Sequence, residues 1–399
     1  MFGIKPKIVI DKEKIEEILT RGVENIYPSK DFLKSKLMNG ERISLYLGID
    51  PTGKTLHLGH VIPLLKLRKF QELGHQIILL MGDFTAMIGD PTDKSAVRKQ
   101  LTHEEVMDNL KEYKKQASEF IDFNGKNPAI IRYNSEWLAK MKFEEVLKLA
   151  SLMTVEQMMK RDMFQRRNQE GKPVYIHEFM YPLMQGYDSV AMDVDGEIGG
   201  NDQTFNMLTG RDLMKAMKGK EKFVISMKLL VDSEGGKMGK TEGNMVSLDQ
   251  TSEDMFGKIM SWSDDIIPLG FEVCTNLNPS DFAEEKPRDQ KAKLAYEIVK
   301  MYHGEKAAEE AEKAFENTFS KREFPDDAQT ITTSKMDKLI DILVENKILE
   351  SKSEFRRLIE AGAISDYPDK KIGDPNETVG ETERKIKIGK KTFIVLNPE

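Results

Sequence analysis

The stretch GIDPTGKTLHLGH, from Gly48 to His60, carries two overlapping nucleotide motifs. Its left half, Gly48 to Thr55, fits GxxxxGK[ST], a glycine-rich loop whose backbone N–H groups cradle phosphates. Its right half, His57-Leu-Gly-His60, is an HxGH cluster, a different device for holding a nucleoside triphosphate. The choice decides the chemistry. A chain using the first motif would hydrolyse ATP, and one using the second would use ATP to activate another molecule.

Working outward, residues 43–49 (ISLYLGI) and 76–81 (QIILLM) are short apolar runs of the kind buried in parallel sheets. Between them HVIPLLKLRKFQELG spaces its apolar residues as a helix does, with Gly74 placed as a stop. The quoted stretch is thus the first turn of a strand–helix–strand unit. Thr102 and Glu105 form a capping box, and behind it Val106, Leu110, Tyr113, Ala117 and Phe120 share one helical face. AIIRY (129–133), SVAMDV (189–194) and KFVIS (222–226) read as further strands. This alternation predicts an open, parallel, Rossmann-like α/β sheet over residues 1–245. From 246 to 325 the strand signal fades, and Ala/Glu/Lys-rich segments around Gly304 predict a small α-helical domain. PDDAQTITTS is polar and turn-rich, so 326–335 is expected to be a linker. Residues 336–399 combine two short helices, 336–345 and 352–361, with a terminal strand at 392–396, an α+β pattern.

The 399 residues are 32% charged and 39% hydrophobic, ordinary for a globular protein, and long enough for two or three domains. A net charge of -7 argues against a nucleic-acid coat over the whole molecule and leaves room for one basic face. The single cysteine, Cys274, cannot form an internal disulfide, which favours a reducing compartment. MFGIKPKIVIDKEKIEEIL lacks the apolar run of a signal peptide, and runs such as IILLM are too short to span a membrane. The expected location is the cytoplasm.

A second lysine-rich element decides between the two motifs. Class I aminoacyl-tRNA synthetases pair HxGH with a lysine loop after the final sheet strand. Here Lys237-Met-Gly-Lys240-Thr241 follows KFVIS and the glycines 235–236. Attack of a carboxylate on the α-phosphate builds charge on the phosphate oxygens, and cations on a loop stabilise that state above the ground state. Two rival features weigh on the other side. Gly53-Lys54 supplies the phosphate-loop pattern, and IILLMGD (77–83) has the form of an acidic Mg²⁺-holding strand end.

Five ordered motifs then resemble the bacterial tyrosyl-tRNA synthetases: LYLGIDPTGKTLHLGH, DFTAMIGDPTDKS (83–95), YPLMQGYDS (181–189), GGNDQTFN (199–206) and KMGKT. SKSEFRRLIEAGAI (351–364) resembles an S4-type RNA-binding module, so 336–399 is expected to be an S4-like domain. KMGKT has glycine where the class I consensus KMSKS has serine.

The resemblance implies roles residue by residue. Tyr46 and Asp188 would hydrogen-bond the phenolic hydroxyl of L-tyrosine; Asp90, Tyr181 and Gln185 would hold its ammonium, with Thr85 alongside and Gln203 near its carboxylate. Thr52, His57 and His60 would contact phosphates, with Gly48, Asp50 and Asp202 near the ribose and the reacting carboxylate. Lys237, Lys240 and Thr241 would stabilise leaving pyrophosphate. Lys94 and Arg98 would meet the acceptor stem of tRNA(Tyr), and Lys352, Arg356 and Arg357 would read its phosphates. ATP enters as a substrate with its Mg²⁺, no dedicated protein metal site is implied, and the family pattern implies a homodimer through about 115–175. A tryptophanyl-type synthetase, a phosphate-loop NTPase and an RNA-binding protein without catalysis are the alternatives. The S4-like tail and the Tyr46/Asp188 pair weigh against the first of these.

Overall fold

A computed structural model describes residues 6–90, 101–231, 245–317, 324–325, 328–367, 370–389 and 392–398. The chain forms two compact units, Met1–Glu305 and Lys306–Glu399.

The first unit is built on six strands: β1 (Val23–Tyr27), β2 (Ser44–Ile49), β3 (Gln76–Met81), β4 (Ile130–Tyr133), β5 (Gly196–Gly200) and β6 (Phe223–Met227). They lie in the order β1-β6-β5-β2-β3-β4. The five from β2 to β6 are mutually parallel, and β1 joins β6 antiparallel, so the sheet is mixed and not parallel throughout as the sequence predicts. The reason is local. VENIY has no apolar run, and its partly exposed residues suit an edge, whereas FVISM and QIILLM are buried on both faces.

Four helices place the site: α1 (Leu58–Glu72), α2 (His103–Ala117), α3 (Ile176–Met192) and α4 (Thr204–Lys218). SVAMDV, a strand by its apolar content, is not one: 189–192 are the last turn of α3, which stops at Asp193 in the left-handed region (φ 51°). The strand is instead the glycine-rich GEIGG that follows. Helical spacing of the buried Tyr181, Gly186, Ser189 and Val190 and tight packing against α4 override the local β preference. Gly186 and Gly210 make that packing possible, since a Cβ on Gly210 would lie 3.2 Å from Gly186 Cα; within the sheet, a Cβ on Gly196 would enter the Phe223 ring. Helices Ser252–Met260, Ile267–Cys274 and Pro287–His303 also belong to this unit.

The second unit contains β7 (Gln329–Thr333), β8 (Ile364–Asp366), β9 (Lys370–Lys371), β10 (Arg384–Ile388) and β11 (Thr392–Pro398), ordered β7-β11-β10-β8-β9. Helices Leu339–Glu345 and Lys352–Glu360 contribute Leu339, Leu343 and Phe355 to a core shared with Ile364, Ile386 and Leu396. Residues 329–333 lie within the expected linker, yet they form a strand parallel to β11. Ile331 and Thr333 alternate inward along QTITT, a period-2 pattern masked in the sequence by the turn-forming PDDA before it.

Candidate functional site

The C-terminal ends of β2, β3, β5 and β6 open onto a cavity of about 620 Å³. Here strand order passes from β5 to β2 to β3, the switch point at which open α/β sheets bind ligands.

HLGH shapes one end. His57 is the N-cap of α1: its Nδ1 accepts from the Gly59 N–H (3.1 Å), while its own backbone N–H donates to His60 Nδ1 (3.3 Å). The rings lie 3.9 Å apart. Because Nδ1 accepts in both, each neutral imidazole carries its proton on Nε2, a donor suited to an anion. The positive end of α1 adds to the same potential. Gly59 is required by this packing, since a Cβ there would lie 2.9 Å from His57 Cε1.

The floor is acidic. Asp188, 2% exposed on α3, accepts from Trp137 Nε1 (2.7 Å) and Asn134 Nδ2 (3.3 Å). Burial pushes its carboxyl well above the usual carboxylate range, and these two donors oppose the rise. Tyr46, fully buried on β2, bonds Ser189 Oγ at 2.9 Å; burial likewise raises its phenol, with Glu197 and Asp188 adding to the effect. Asp50 accepts from Tyr181 (2.8 Å) and Thr85 (2.7 Å), and burial followed by Asp50 raises the Tyr181 phenol. Asp90 accepts from Arg161 (3.0 Å) and Gln203 (2.8 Å). Asn206 Nδ2 donates to Gln203 (3.1 Å) and to Gln185 (2.9 Å), and Gln185 Nε2 donates to Glu197 (3.1 Å).

The rival phosphate-loop features sit elsewhere. Lys54 has a 77% exposed side chain paired with Asp108 at 3.1 Å, off the cavity wall. Asp83 accepts from the Ser135 backbone (2.9 Å) and hydroxyl (2.6 Å), holding the turn after β4.

Three comparisons bear on this geometry. The family model for "tRNA synthetases class I (W and Y)" matches residues 38–320. The tyrosine–tRNA ligase of Carboxydothermus hydrogenoformans is 41% identical over 405 residues, covering 95% of this chain and 97% of its own. That of Moorella thermoacetica is 41% identical over 396 residues, covering 95% of each. The chain belongs to the bacterial-type tyrosyl-tRNA synthetases. A truncated mitochondrial tyrosyl-tRNA synthetase from Aspergillus nidulans aligns with a TM-score of 0.66 at 23% identity, over 77% of this chain and 95% of its own. At that identity it shows the shared class I fold.

In this synthetase the expected Tyr46, Gly48, Asp50, Thr52, His57, His60, Thr85, Asp90, Tyr181, Gln185, Asp188, Asp202 and Gln203 all line the one cavity. Lys94, Arg98, Lys237, Lys240 and Thr241 lie outside the described residues. The chain on either side of the KMGKT segment reaches the site: Met227 to Leu230 line the cavity, and Leu58 N–H donates to Val246 O (3.1 Å) while Leu248 N–H donates to Leu56 O (3.0 Å). Lys352, Arg356 and Arg357 are in the second unit on helix Lys352–Glu360, exposed, with Lys352 also paired to Asp341 at 2.6 Å.

Sequence reasoning missed Asn134 and Trp137, which hold Asp188, and Ser189, Glu197, Asn206 and Lys222. The signal for the first pair was position, directly after the predicted strand AIIRY, where Asn134 lines the cavity. Lys222 opens the run KFVIS, where nothing in the sequence marks a charged residue as buried, and Glu197 stands among glycines. Among the described residues no group of His, Cys, Asp and Glu is arranged to hold a metal ion, and no helix is long and apolar enough to cross a membrane.

Proposed function

We propose that this tyrosine–tRNA ligase performs both half-reactions at the cavity between HLGH and Asp188. The single observation that carries the assignment is the buried Tyr46/Asp188 pair in the floor. A para-hydroxyl between them donates to Asp188; phenylalanine leaves that buried acceptor unpaired, a costly state. Rejection of phenylalanine on this basis, without an editing site, is a known property of tyrosyl-tRNA synthetases as a family.

Asp90 and Gln185, both on the cavity wall, hold the substrate ammonium in this reading, with Tyr181 and Thr85, each bonded to Asp50, beside them. Gln203 serves the carboxylate and Asp202 the ribose. One carboxylate oxygen attacks the α-phosphorus of ATP, forming the C–O–P bond as the bond to the bridging oxygen breaks and pyrophosphate departs. Thr52, His57 and His60 donate to phosphate oxygens, and Lys237, Lys240 and Thr241 stabilise the leaving group. Mg²⁺ enters with ATP. The terminal ribose hydroxyl of tRNA(Tyr) then attacks the tyrosyl carbonyl, and AMP leaves. No side chain needs to act as nucleophile, since the carboxylate is already ionised; catalysis rests on positioning and electrostatics.

The second unit acts as an S4-like RNA-binding domain through Arg356, Arg357 and Lys352, with Lys94 and Arg98 serving the acceptor stem. Exposed apolar residues, among them Phe143 (76% exposed), Leu147 (55%) and Val155 (61%), support a homodimer interface reaching through about 115–175. A cytoplasmic location fits the lone, buried Cys274.

Pyrophosphate exchange with tyrosine, tryptophan and phenylalanine separately tests this reading, with tyrosine alone expected to support rapid exchange. Lys54→Ala should leave the rate nearly unchanged, while Lys240→Ala should reduce it strongly. Exchange with tryptophan alone, or loss of ATP use in Lys54→Ala but not Lys240→Ala, sinks it.

A further inference from the structure

Behind the floor of the cavity lies a charged group that the reaction does not touch. Lys222 is 0% exposed, immediately before β6. Its ammonium has three N–H donors and no acceptor. All three find partners: the Glu197 carboxylate, Ser189 Oγ at 2.7 Å and the Met207 carbonyl at 3.2 Å. Nζ also lies 5.7 Å from the centroid of the Tyr46 ring. From Lys222 two hydrogen-bonded arms run to the cavity. One passes through Ser189 to the Tyr46 hydroxyl (2.9 Å), the other through Glu197 to Gln185 (3.1 Å).

The first arm has a polarity problem that the ammonium solves. A substrate phenol has one proton. Were Tyr46 to donate inward, to Ser189 or to the Glu197 carboxylate that also bears on its hydroxyl, its oxygen and Asp188 would both face the substrate as acceptors, and one would go without. Were Ser189 to donate to Tyr46, the Tyr46 O–H would turn to the phenolic oxygen, and the phenolic O–H to Asp188. Lys222 selects the second arrangement. Its positive charge occupies one lone pair of Ser189, opposes a second proton pointed at that oxygen and polarises the serine O–H outward.

We infer that Lys222, acting through Ser189, is a positioning residue that sets the hydrogen-bond direction of Tyr46 and so sharpens selection for the para-hydroxyl of the substrate. The inference rests on the assignment of the cavity as the tyrosine pocket. The relay runs one way, from a group that can only donate to one that, ionised, can only accept. Gly210 keeps space for it: a Cβ there would lie 2.6 Å from Lys222 Nζ and 3.0 Å from Ser189 Oγ.

Pyrophosphate exchange with tyrosine and with phenylalanine tests the relay in four variants: Ser189→Ala, Ser189→Thr, Asp188→Asn and the double variant Lys222→Met/Glu197→Gln. The double variant removes both buried charges together, and the serine variants leave the ion pair intact, with thermal melting reporting that each folds. In Ser189→Ala the tyrosine kcat/KM should fall about tenfold through KM, the size of one lost hydrogen bond. The phenylalanine value should hold, Ser189→Thr should restore discrimination, and the double variant should lose discrimination as Ser189→Ala does, a whole ratio there overturning the role of Lys222. If Asp188→Asn collapses the tyrosine/phenylalanine ratio but Ser189→Ala leaves it whole, or lowers both substrates together, the relay is overturned and the pocket stands. If Asp188→Asn itself leaves the ratio whole, the pocket assignment falls and the relay with it.

Discussion

Asp188 shows how one residue holds opposed demands. It is buried near the C-terminal end of an apolar helix, where an ionised carboxylate is expensive, and it is tied by Trp137 and Asn134, which favour the ionised form. Burial prevails, so its folded-state pKa stands above the ordinary carboxylate value. A phenol donates to the carboxylate and not to the protonated acid. Tyrosine affinity should therefore be full above the raised pKa and should fall as pH drops through it, in a window higher than an ordinary carboxylate would give. Calorimetric titration of tyrosine at several pH values measures this. Asp188→Asn should weaken binding about 10- to 100-fold, the span of a lost charge-assisted bond, and flatten the pH dependence. A slope unchanged in that variant would assign the titration to another group.

At the scale of elements, α3 and α4 hold the site together through close approach. Gly186 and Gly210 face each other, and the Lys222 and Ser189 side chains sit against the same spot. Gly210→Ala should raise helix propensity yet cost about 1–3 kcal/mol by overpacking, seen as a lower denaturation midpoint, together with a higher KM for tyrosine. An unchanged midpoint would mean the helices part without penalty. This packing also explains where the sequence was legible. β2, α1 and β3 were readable because their apolar residues follow clean periods and GIDPTGKTLHLGH marks the turn between them. GEIGG was not, since a strand chosen for lack of side chains has no hydrophobic pattern. Nor was β1, whose identity depends on pairing with β6 about 200 residues away. The expected motif residues of the first unit with described positions line the cavity, whereas Trp137, Asn206 and Lys222 act by supporting other side chains, which neither the neighbourhood of Trp137 and Lys222 nor the place of Asn206 within GGNDQTFN announces.

For the whole molecule, under the proposed function the chemistry lies in the first unit, and the second adds RNA contacts to those of Lys94 and Arg98. Every residue lining the cavity, from Tyr46 to Leu230, belongs to the first. Arg356 and Arg357 project from the second, opposite the buried Phe355 and Ile359 of their helix. Charge reversal, Arg356→Glu with Arg357→Glu, should raise the KM for tRNA and reduce the dependence of binding on log salt by roughly 0.7–0.9 per lost phosphate contact. Tyrosine-dependent pyrophosphate exchange should be unaffected, because no tRNA takes part in it; a parallel loss of exchange would contradict the division. A crystal structure with a non-hydrolysable tyrosyl-adenylate analogue probes the assigned site without intermediaries. The phenolic oxygen should lie within hydrogen-bond reach of both Tyr46 and Asp188, with the phosphate mimic beside His57 and His60. An aromatic ring lodged away from Asp188, or a phosphate mimic held by Gly53 and Lys54, would refute the assignment.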